Sequence, residues 1–201
     1  MKKYILLIAL AVSVLTAKAQ FNVDRLITSG KVALHYEDYV LSIQYFNQVI
    51  ALKPFLYEPW QYRAVAKFYL DDFVGAETDA SEAIALNPYI DILYDLRAIS
   101  RIRQEDYAGA IADYNKAIAI SPDTRNYWFN RAICMLNSKD YDDALAQTDS
   151  IIRKWQRFAN AYQLKACSVI LKSLLSLCSF WMAASRSFTI SGCSAATSWS
   201  S

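Results

Sequence analysis

Hydrophobic and polar positions follow one another along this chain with the rhythm of helices. Within residues 57–70 and 73–86, apolar side chains recur three and four positions apart, a spacing that lines one face of an α-helix. An acidic pair, Asp71-Asp72, separates the two stretches, and Pro88 follows the second. Aspartate caps a helix by accepting from its free N–H groups, and proline cannot continue a helix. The pattern therefore predicts a hairpin of two antiparallel helices.

The same pattern recurs at one constant interval, as the equally spaced acid–aromatic pairs Asp38-Tyr39, Asp72-Phe73, Asp106-Tyr107 and Asp140-Tyr141 show. Prolines at positions 54, 88 and 122 keep this interval, and so do small residues at 30, 64, 98, 132 and 166. A fixed period of about 34 residues is typical of helical solenoids, in which each hairpin covers the apolar face of its neighbour. Small residues on the inner face of each second helix are predicted to let the paired helices approach. These are Ser42, Ala76, Ala110 and Ala144.

The order of features within one copy resembles the tetratricopeptide-repeat family: an aromatic residue, a small residue four positions later, an alanine-rich second helix and a closing proline. The resemblance covers residues 23–166, as repeats of about 23–56, 57–90, 91–124 and 125–158 with a partial fifth from 159. It implies an all-α fold, a right-handed α-solenoid of stacked antiparallel helical hairpins. The copies depart from the family pattern at Gln156, which replaces the fourth proline, and at Leu26, which replaces the first aromatic.

Three arginines stand where the family often has leucine, namely Arg63, Arg97 and Arg131. One interpretation is a ladder of anion-binding groups, and the other is a set of contacts inside the hairpins. The acids Asp79 and Asp113 follow the first two arginines at the same offset, which places each acid on the partner helix of its hairpin, and Gln147 follows the third. Because the acids accompany their arginines at one spacing, we favour structural ion pairs, worth about 0.5–1 kcal/mol when partly exposed.

The N-terminal residues 1–19 have the pattern of a cleaved signal peptide. Lys2 and Lys3 precede an apolar run over residues 5–15, and the small-x-small sequence Ala17-Lys18-Ala19 follows it. The apolar run is short for a membrane span. We therefore expect a bacterial protein that is exported, either to the periplasm or by secretion, with an uncleaved membrane anchor as the alternative.

The repeat domain, residues 20–166, is followed by an atypical tail rich in serine and cysteine, residues 167–201. The acid–aromatic pair expected next at positions 174 and 175 is replaced by two leucines, and no Asp or Glu occurs after Asp149. We interpret the tail as the product of a frameshift or of a truncated gene. A membrane-associated C-terminus and a genuine capping helix are the alternatives.

Charge and composition exclude several classes of function. Residues 20–166 hold 16 Lys and Arg against 19 Asp and Glu, a net charge of −3, without the clustered basic face that nucleic-acid binding needs. His35 is the only histidine, so neither a His-based catalytic triad nor a two-His metal site can form. The four glycines are scattered and make no phosphate-binding loop. We expect no enzyme, no catalytic residue, no metal site and no cofactor.

By resemblance to the family, the outward face of each first helix lines a concave groove for a protein or peptide partner. The implied groove residues are Lys31, His35, Glu58, Gln61, Val65, Phe68, Ile92, Asp95, Ile99, Arg103, Asn126, Phe129, Ile133 and Asn137. Val65, Ile99 and Ile133 would form an apolar floor, or else pack between the helices. One family variant clamps a peptide carboxylate with lysine and asparagine, but the matching places here hold Gln61, Asp95, Val65 and Ile99.

We therefore predict a non-enzymatic protein–protein interaction scaffold, whose ligand is an extended or helical peptide with apolar side chains. The alternative is the docking or sensor half of a longer exported protein whose catalytic or signalling part is missing. Neither interpretation names the partner or includes a nucleic acid. Membrane contact is expected only through the signal peptide or the tail.

Overall fold

The computed structural model describes residues 23–194, with side chains for residues 23–177, and the predicted signal peptide lies outside this range. Within this range the regular structure consists of nine helices and no strand. They are α1 (residues 23–35), α2 (Tyr39–Leu52), α3 (Tyr57–Tyr69), α4 (Phe73–Leu86), α5 (Asp91–Arg103), α6 (Tyr107–Ile120), α7 (Arg125–Asn137), α8 (Tyr141–Lys154) and α9 (Ala159–Ser194). The predicted all-α repeat fold is confirmed, with turns at the three prolines and ahead of the four acid–aromatic pairs.

The chain divides into two compact units, which are described separately. Unit 1 extends to Tyr127 and contains helices α1 to α6 together with the first residues of α7. Unit 2 begins at Trp128 and contains the rest of α7, together with α8 and α9.

Every first helix ends in the same left-handed turn. The residues after the four first helices have positive φ angles, namely Glu37 (62°), Asp71 (59°), Glu105 (63°) and Lys139 (69°). In the second hairpin, the N–H of Asp71 donates to the Phe68 carbonyl at 3.1 Å and the N–H of Asp72 donates to the Lys67 carbonyl at 3.0 Å. This pair of bonds is the Schellman motif, which satisfies carbonyls that the helix itself leaves free.

The acid that follows each turn caps the next helix in three of the four hairpins. A carboxylate oxygen of Asp38 accepts from the Leu41 N–H at 3.1 Å, and Asp72 and Asp106 accept from residues three positions later at 2.9 Å. The prediction is wrong for Asp140, which makes no side-chain cap. Its carboxylate accepts from the Ser138 hydroxyl at 2.8 Å instead.

Small residues bring the helices of each hairpin together, as predicted. Ser42, Ala76 and Ala110 are fully buried in unit 1, and Ala144 is fully buried in unit 2. A Cβ atom added at Gly30 would lie 2.8 Å from Cζ of Phe46, closer than carbon atoms approach. The Ser42 hydroxyl donates to the Gly30 carbonyl at 3.0 Å in this contact. The close approach of the first pair of helices therefore requires glycine at position 30.

The predicted arginine pairs are present and buried on the acidic side. Arg63 donates from Nε and Nη2 to the two carboxylate oxygens of Asp79, each at 2.7 Å, and Asp79 is 1% exposed. Arg63 also donates from Nη1 to the amide oxygen of Asn47 at 2.6 Å, on the second helix of the preceding hairpin. Arg97 likewise donates from Nη2 to a carboxylate oxygen of Asp113 at 2.6 Å and from Nη1 to the Ser81 hydroxyl at 3.2 Å. Each arginine therefore joins two successive hairpins as well as the two helices of its own.

Unit 2 departs from the repeat at α9. The helix continues through the two leucines at 174 and 175, so no fifth hairpin turn forms and no boundary separates the repeat from residues 167–194. Ala161 and Leu164 are buried with Ala132 and Ile151, whereas Ala166, at the small-residue register, is exposed. Within residues 23–194, no second helix follows α9 to form a hairpin with it, so the small residue at this position of the repeat is not covered. Among the described residues, no helix has both the length and the apolar character that crossing a membrane demands.

Candidate functional site

The first helices of unit 1 line two cavities that share residues. The larger, about 490 Å³ in volume, is lined by Lys31, Leu34, His35, Glu37, Tyr39, Tyr62, Val65 and Tyr69. The smaller, about 230 Å³, is lined by Gln61, Val65, Phe68, Tyr69, Ile92, Asp95, Leu96 and Ile99. We name them the α1 cavity and the α5 cavity. Because Val65 and Tyr69 line both, the two cavities are neighbours, and we name them together the inner groove.

The inner groove brings together most of the predicted groove residues of unit 1. They are Lys31, His35, Gln61, Val65, Phe68, Ile92, Asp95 and Ile99. Glu58 and Arg103 line neither cavity. The Arg103 guanidinium lies 4.9 Å from the centre of the Phe73 ring and 3.6 Å from the Asp71 carboxylate. Arg103 is exposed and is the last residue of α5.

Tyrosines line much of the α1 cavity, and the sequence analysis missed them. The rings of Tyr39 and Tyr69 stack at a centroid distance of 5.0 Å with an angle of 7°. The Lys31 ammonium lies 4.6 Å from the centre of the Tyr62 ring. Tyr62, Val65 and Tyr69 lie three and four positions apart, so they share one face of α3. That spacing was the available signal for including the two tyrosines with Val65.

Val65 and Ile99 belong both to the lining of the α5 cavity and to the hydrophobic packing beneath it. Val65 and Ile99 are half-buried and pack against the buried cluster of Ala64, Ala80 and Leu96, while they also line the cavity. The sequence offered floor and packing as alternatives for these residues, and in the structure each residue does both. A substitution at Val65 or Ile99 would therefore disturb packing as well as the groove.

Asp95 is the charged residue of the α5 cavity. Its Oδ1 is buried and has no hydrogen-bond partner among the described residues. Burial raises the pKa of the Asp95 carboxyl, the charge of Asp91 adds to the rise, and the Tyr114 hydroxyl offsets part of it. Such a shift means that the surroundings disfavour the ionised form.

The neighbouring acid Asp91 is in the opposite situation. The Tyr127 hydroxyl donates to Asp91 Oδ2 at 3.1 Å, and the Ile92 N–H donates to Oδ1 at 3.0 Å. Burial acts to raise the pKa of Asp91, but hydrogen bonds from Ser121, Tyr127 and the backbone outweigh it, and the pKa is lowered. Of these two acids on α5, Asp91 is held by several hydrogen bonds, whereas at Asp95 the Tyr114 hydroxyl offsets only part of the effect of burial.

Comparison with known proteins agrees with the repeat geometry. A family model described as tetratricopeptide repeat matches residues 101–166. This match falls on hairpins that recur at one constant interval, and it agrees with the resemblance to tetratricopeptide-repeat proteins. No curated protein matches the chain.

Several solved structures are similar to these repeats. The crystal structure of MamA protein is 22% identical, with a TM-score of 0.65 over 73% of this chain and 80% of MamA. YrrB, described as a TPR protein with an unusual peptide-binding site, is 12% identical, with a TM-score of 0.66 over 74% of this chain and 76% of YrrB. The first TPR of Spaghetti (RPAP3) bound to the HSP90 peptide SRMEEVD is 22% identical, with a TM-score of 0.56 over 57% of this chain and 90% of that one. At these identities the likeness shows the fold alone.

The predicted groove residues of the fourth tetratricopeptide repeat belong to α7. Phe129 meets the Phe158 ring edge-on at 5.2 Å, and Phe129 and Ile133 pack against the buried cluster that contains Ala132 and Ile151. Asn126 and Asn137 are exposed. Phe129 and Ile133 thus contribute to the packing of unit 2, and their assignment to a groove stays a prediction.

Chemistry beyond binding has little support in these repeats. Burial raises the pKa of the Cys134 thiol to about 12, so the thiol stays protonated near neutral pH. The described residues contain no group of three His, Cys, Asp or Glu side chains placed to hold a metal ion.

Proposed function

We propose that the chain is a non-enzymatic protein-interaction scaffold whose inner groove binds a peptide or a segment of a partner protein. The observation that carries the proposal is the pair of neighbouring α1 and α5 cavities, which present apolar and aromatic side chains to solvent. Tyr69 and Ile92 are 60% and 49% exposed there. Exposed apolar side chains grouped in a concave surface with a few polar groups are typical of a peptide-binding groove.

Two similar structures support a peptide as the kind of ligand. The RPAP3 repeat is bound to the peptide SRMEEVD, and YrrB is described as having an unusual peptide-binding site. The groove of this chain differs in its charged residues, since Gln61 and Asp95 stand where one family variant has its clamp for a carboxylate. An acidic peptide such as SRMEEVD would bring its carboxylates towards Asp95. We therefore propose a peptide ligand of a different composition.

A groove variant tests the proposal. Tyr69→Ala with Ile92→Ala removes the two exposed groove side chains and leaves good helix formers in their places. Peptides would be selected from a random phage-displayed library on the purified chain, and their affinity measured by fluorescence anisotropy. We expect the double variant to bind the selected peptides at least about tenfold more weakly, because apolar contacts dominate such sites.

The matched control is Tyr89→Ala with Val74→Ala, which removes an aromatic and an aliphatic side chain, 83% and 65% exposed, from outside the groove. This control should bind as the unchanged chain does. Circular-dichroism melts should coincide for all three proteins. Equal binding by the groove variant would refute the groove as the site.

A second candidate function is that these repeats are the docking half of a longer exported protein. Large apolar side chains on α9, such as Ile170, Leu174 and Leu177, are more than half exposed and would gain from a covering segment. Reading the gene in the other two frames beyond codon 166 tests this candidate. A frame that restores an acid–aromatic pair at positions 174 and 175 would support it, and stop codons in both frames would count against it.

We also propose that the scaffold is bacterial and acts after export, through cleavage of residues 1–19. The basic start, the apolar run and the sequence Ala17-Lys18-Ala19 support this. Expression of the complete chain in a bacterial host, followed by fractionation and N-terminal sequencing, tests it. The expected product starts at Gln20 and lies in the periplasm or the medium. An intact Met1 in the cytoplasmic fraction would contradict the proposal.

A further inference from the structure

The two buried acids of unit 1 are each paired with two cations, whereas the half-buried Asp95 is paired with none among the described residues. The Asp79 carboxylate has two cations, Arg63 at 2.7 Å and Lys67 at 2.9 Å. Asp113 also has two, Arg97 at 2.6 Å and Arg101 at 2.9 Å. Asp95 forms no ion pair with the described residues. Its Oδ1 has no hydrogen-bond partner among them, and the Tyr114 hydroxyl offsets only part of the effect of burial on its pKa. A carboxylate that lacks a cation and buries an unpaired oxygen is costly, so its presence needs a reason.

The repeat itself does not require an acid at this position. The residues one repeat before and one repeat after Asp95 are Gln61 and Phe129, and Ile27 stands at this place in the first copy. An amide, an aromatic ring and an aliphatic side chain all fit the same place in the hairpin. The carboxylate at position 95 is therefore not a feature of the fold, unlike the acids at 79 and 113 that pair with the repeated arginines.

The surroundings of Asp95 define what would complement it. The other lining residues of the α5 cavity are apolar, aromatic or uncharged, so the cavity carries a single negative charge beside a mostly apolar wall. Within such a wall, a charge is less well hydrated than in bulk water and attracts an opposite charge more strongly. An arginine or lysine side chain has the matching form, since its aliphatic stem packs on apolar surface and its head carries the charge.

We propose that the peptide bound in the inner groove carries a basic side chain beside an apolar one, and that Asp95 recognises the basic group. This inference rests on the proposed function and specifies the ligand of the same groove. The apolar side chain packs near Val65, Ile92 and Ile99, and the basic side chain reaches Asp95. Specificity arises because an acidic peptide meets repulsion at Asp95, whereas a neutral peptide leaves the carboxylate uncompensated.

Selection from a random phage-displayed peptide library tests the inference without knowledge of the natural partner. Peptides selected on the unchanged chain should be enriched in Arg or Lys near Leu, Ile, Phe or Met. Asp95→Asn keeps the shape of the side chain and removes its charge, so its peptides should keep the apolar residues and lose the basic enrichment. Glu82→Gln, which neutralises an exposed acid of α4 outside the groove, is the control and should select like the unchanged chain.

A double-mutant cycle, with one change in the peptide and one in the chain, then measures the contact between Asp95 and the arginine of the peptide. In the best arginine-containing peptide, citrulline replaces arginine, which keeps the side-chain length and removes the charge. On the unchanged chain this replacement should weaken binding about tenfold, as for close charge pairs at interfaces. On Asp95→Asn it should weaken binding about twofold or less, because the partner charge is already gone.

The outcomes separate this inference from the proposed function. If selected peptides lose affinity for the Tyr69→Ala, Ile92→Ala variant but show neither basic enrichment nor coupling to position 95, the groove binds peptides and the inference is wrong. If the selected peptides bind that variant as well as the unchanged chain, the ligand lies elsewhere and both proposals fail. Basic enrichment together with coupling supports the inference.

Discussion

Two parts of unit 1 hold fully or partly buried carboxylates and surround them differently. Between the paired helices, Asp79 and Asp113 are almost completely buried, and each is held by two cations. In the inner groove, Asp95 has no such cation among the described residues, and burial raises its pKa. The first arrangement stabilises the hairpins, because charge and hydrogen bonds are satisfied within the protein. The second leaves an interaction unmade, which is what a binding surface offers to a ligand.

Removal of a charge between the helices should have the largest effect. Asp113→Asn leaves Arg97 and Arg101 beside a neutral amide, and we expect a loss of about 2–4 kcal/mol in the free energy of unfolding, discounted because both arginines are partly exposed. Urea unfolding of the purified chain, followed by circular dichroism, measures it. Glu82→Gln on the exposed face should stay within about 0.5 kcal/mol. A loss at Asp113 no larger than that of the control would contradict a structural role for the pair.

The close approach of the same helices can be tested by overpacking. Ala110 is fully buried on α6, and Ala110→Leu should lower the free energy of unfolding by about 1–3 kcal/mol, because the two helices cannot move apart without losing other contacts. The measurement is again urea unfolding. Ala108→Leu is the matched control, since Ala108 is exposed on the same helix. Equal stability of the two variants would show that position 110 tolerates a larger side chain.

The left-handed turn at Glu105, between α5 and α6, predicts that glycine at this position makes the fold more stable. Glu105 has a φ of 63°, which costs a residue with a side chain more than glycine. Glu105→Gly should therefore raise the free energy of unfolding by about 0.5–1 kcal/mol, after the larger entropy of glycine in the unfolded chain is counted. Gln104→Gly, at a φ of −94°, is the control and should bring no gain. A thermal melt in which Glu105→Gly unfolds at a lower temperature would oppose this reading of the turn.

The smallest expected change in stability is at Asp95 in the groove. Removal of its charge should stabilise the fold, whereas removal of the charge of Asp113 should destabilise it. Because the pKa of Asp95 is raised in the folded chain, ionisation of this carboxyl destabilises the fold as pH rises above about 3.9, the ordinary value for Asp. Asp95→Asn should therefore be slightly more stable than the unchanged chain at neutral pH and equal to it in acid. Urea unfolding at several pH values measures the difference. A destabilised Asp95→Asn at neutral pH would place Asp95 with the structural acids.

Prediction from the sequence succeeded where a contact lies within one hairpin. The spacing of Arg63 and Asp79 places them on facing helices whatever the rest of the chain does, and the ion pair is present. It failed at one of the four predicted helix caps. Asp140 has the same local sequence position as Asp106, yet it accepts from Ser138 and does not cap its helix. The left-handed turn at Glu105 was also missed, because its usual glycine signal is absent.

The candidate site was predicted in outline and decided in detail by tertiary packing. The helical period places Gln61, Val65 and Phe68 on one face of α3, and the inner groove contains all three. The same reasoning assigned Phe129 to a groove; its ring contacts Phe158 within unit 2, and the assignment stays a prediction. Nothing in the local pattern distinguishes the two cases, because exposure of a first-helix side chain depends on what lies beside it in space.

The sequence by itself determined the hairpin, its constant repeat interval and the helix pairs joined by arginine, because these follow from helical periodicity and from contacts within one repeat. Only the tertiary structure decided that Val65 and Tyr69 line two neighbouring cavities, that Asp95 is half-buried without a cation among the described residues, and that α9 continues where a fifth turn was due. Burial and charge compensation depend on residues that are distant in sequence. They emerge only when successive helices are packed together.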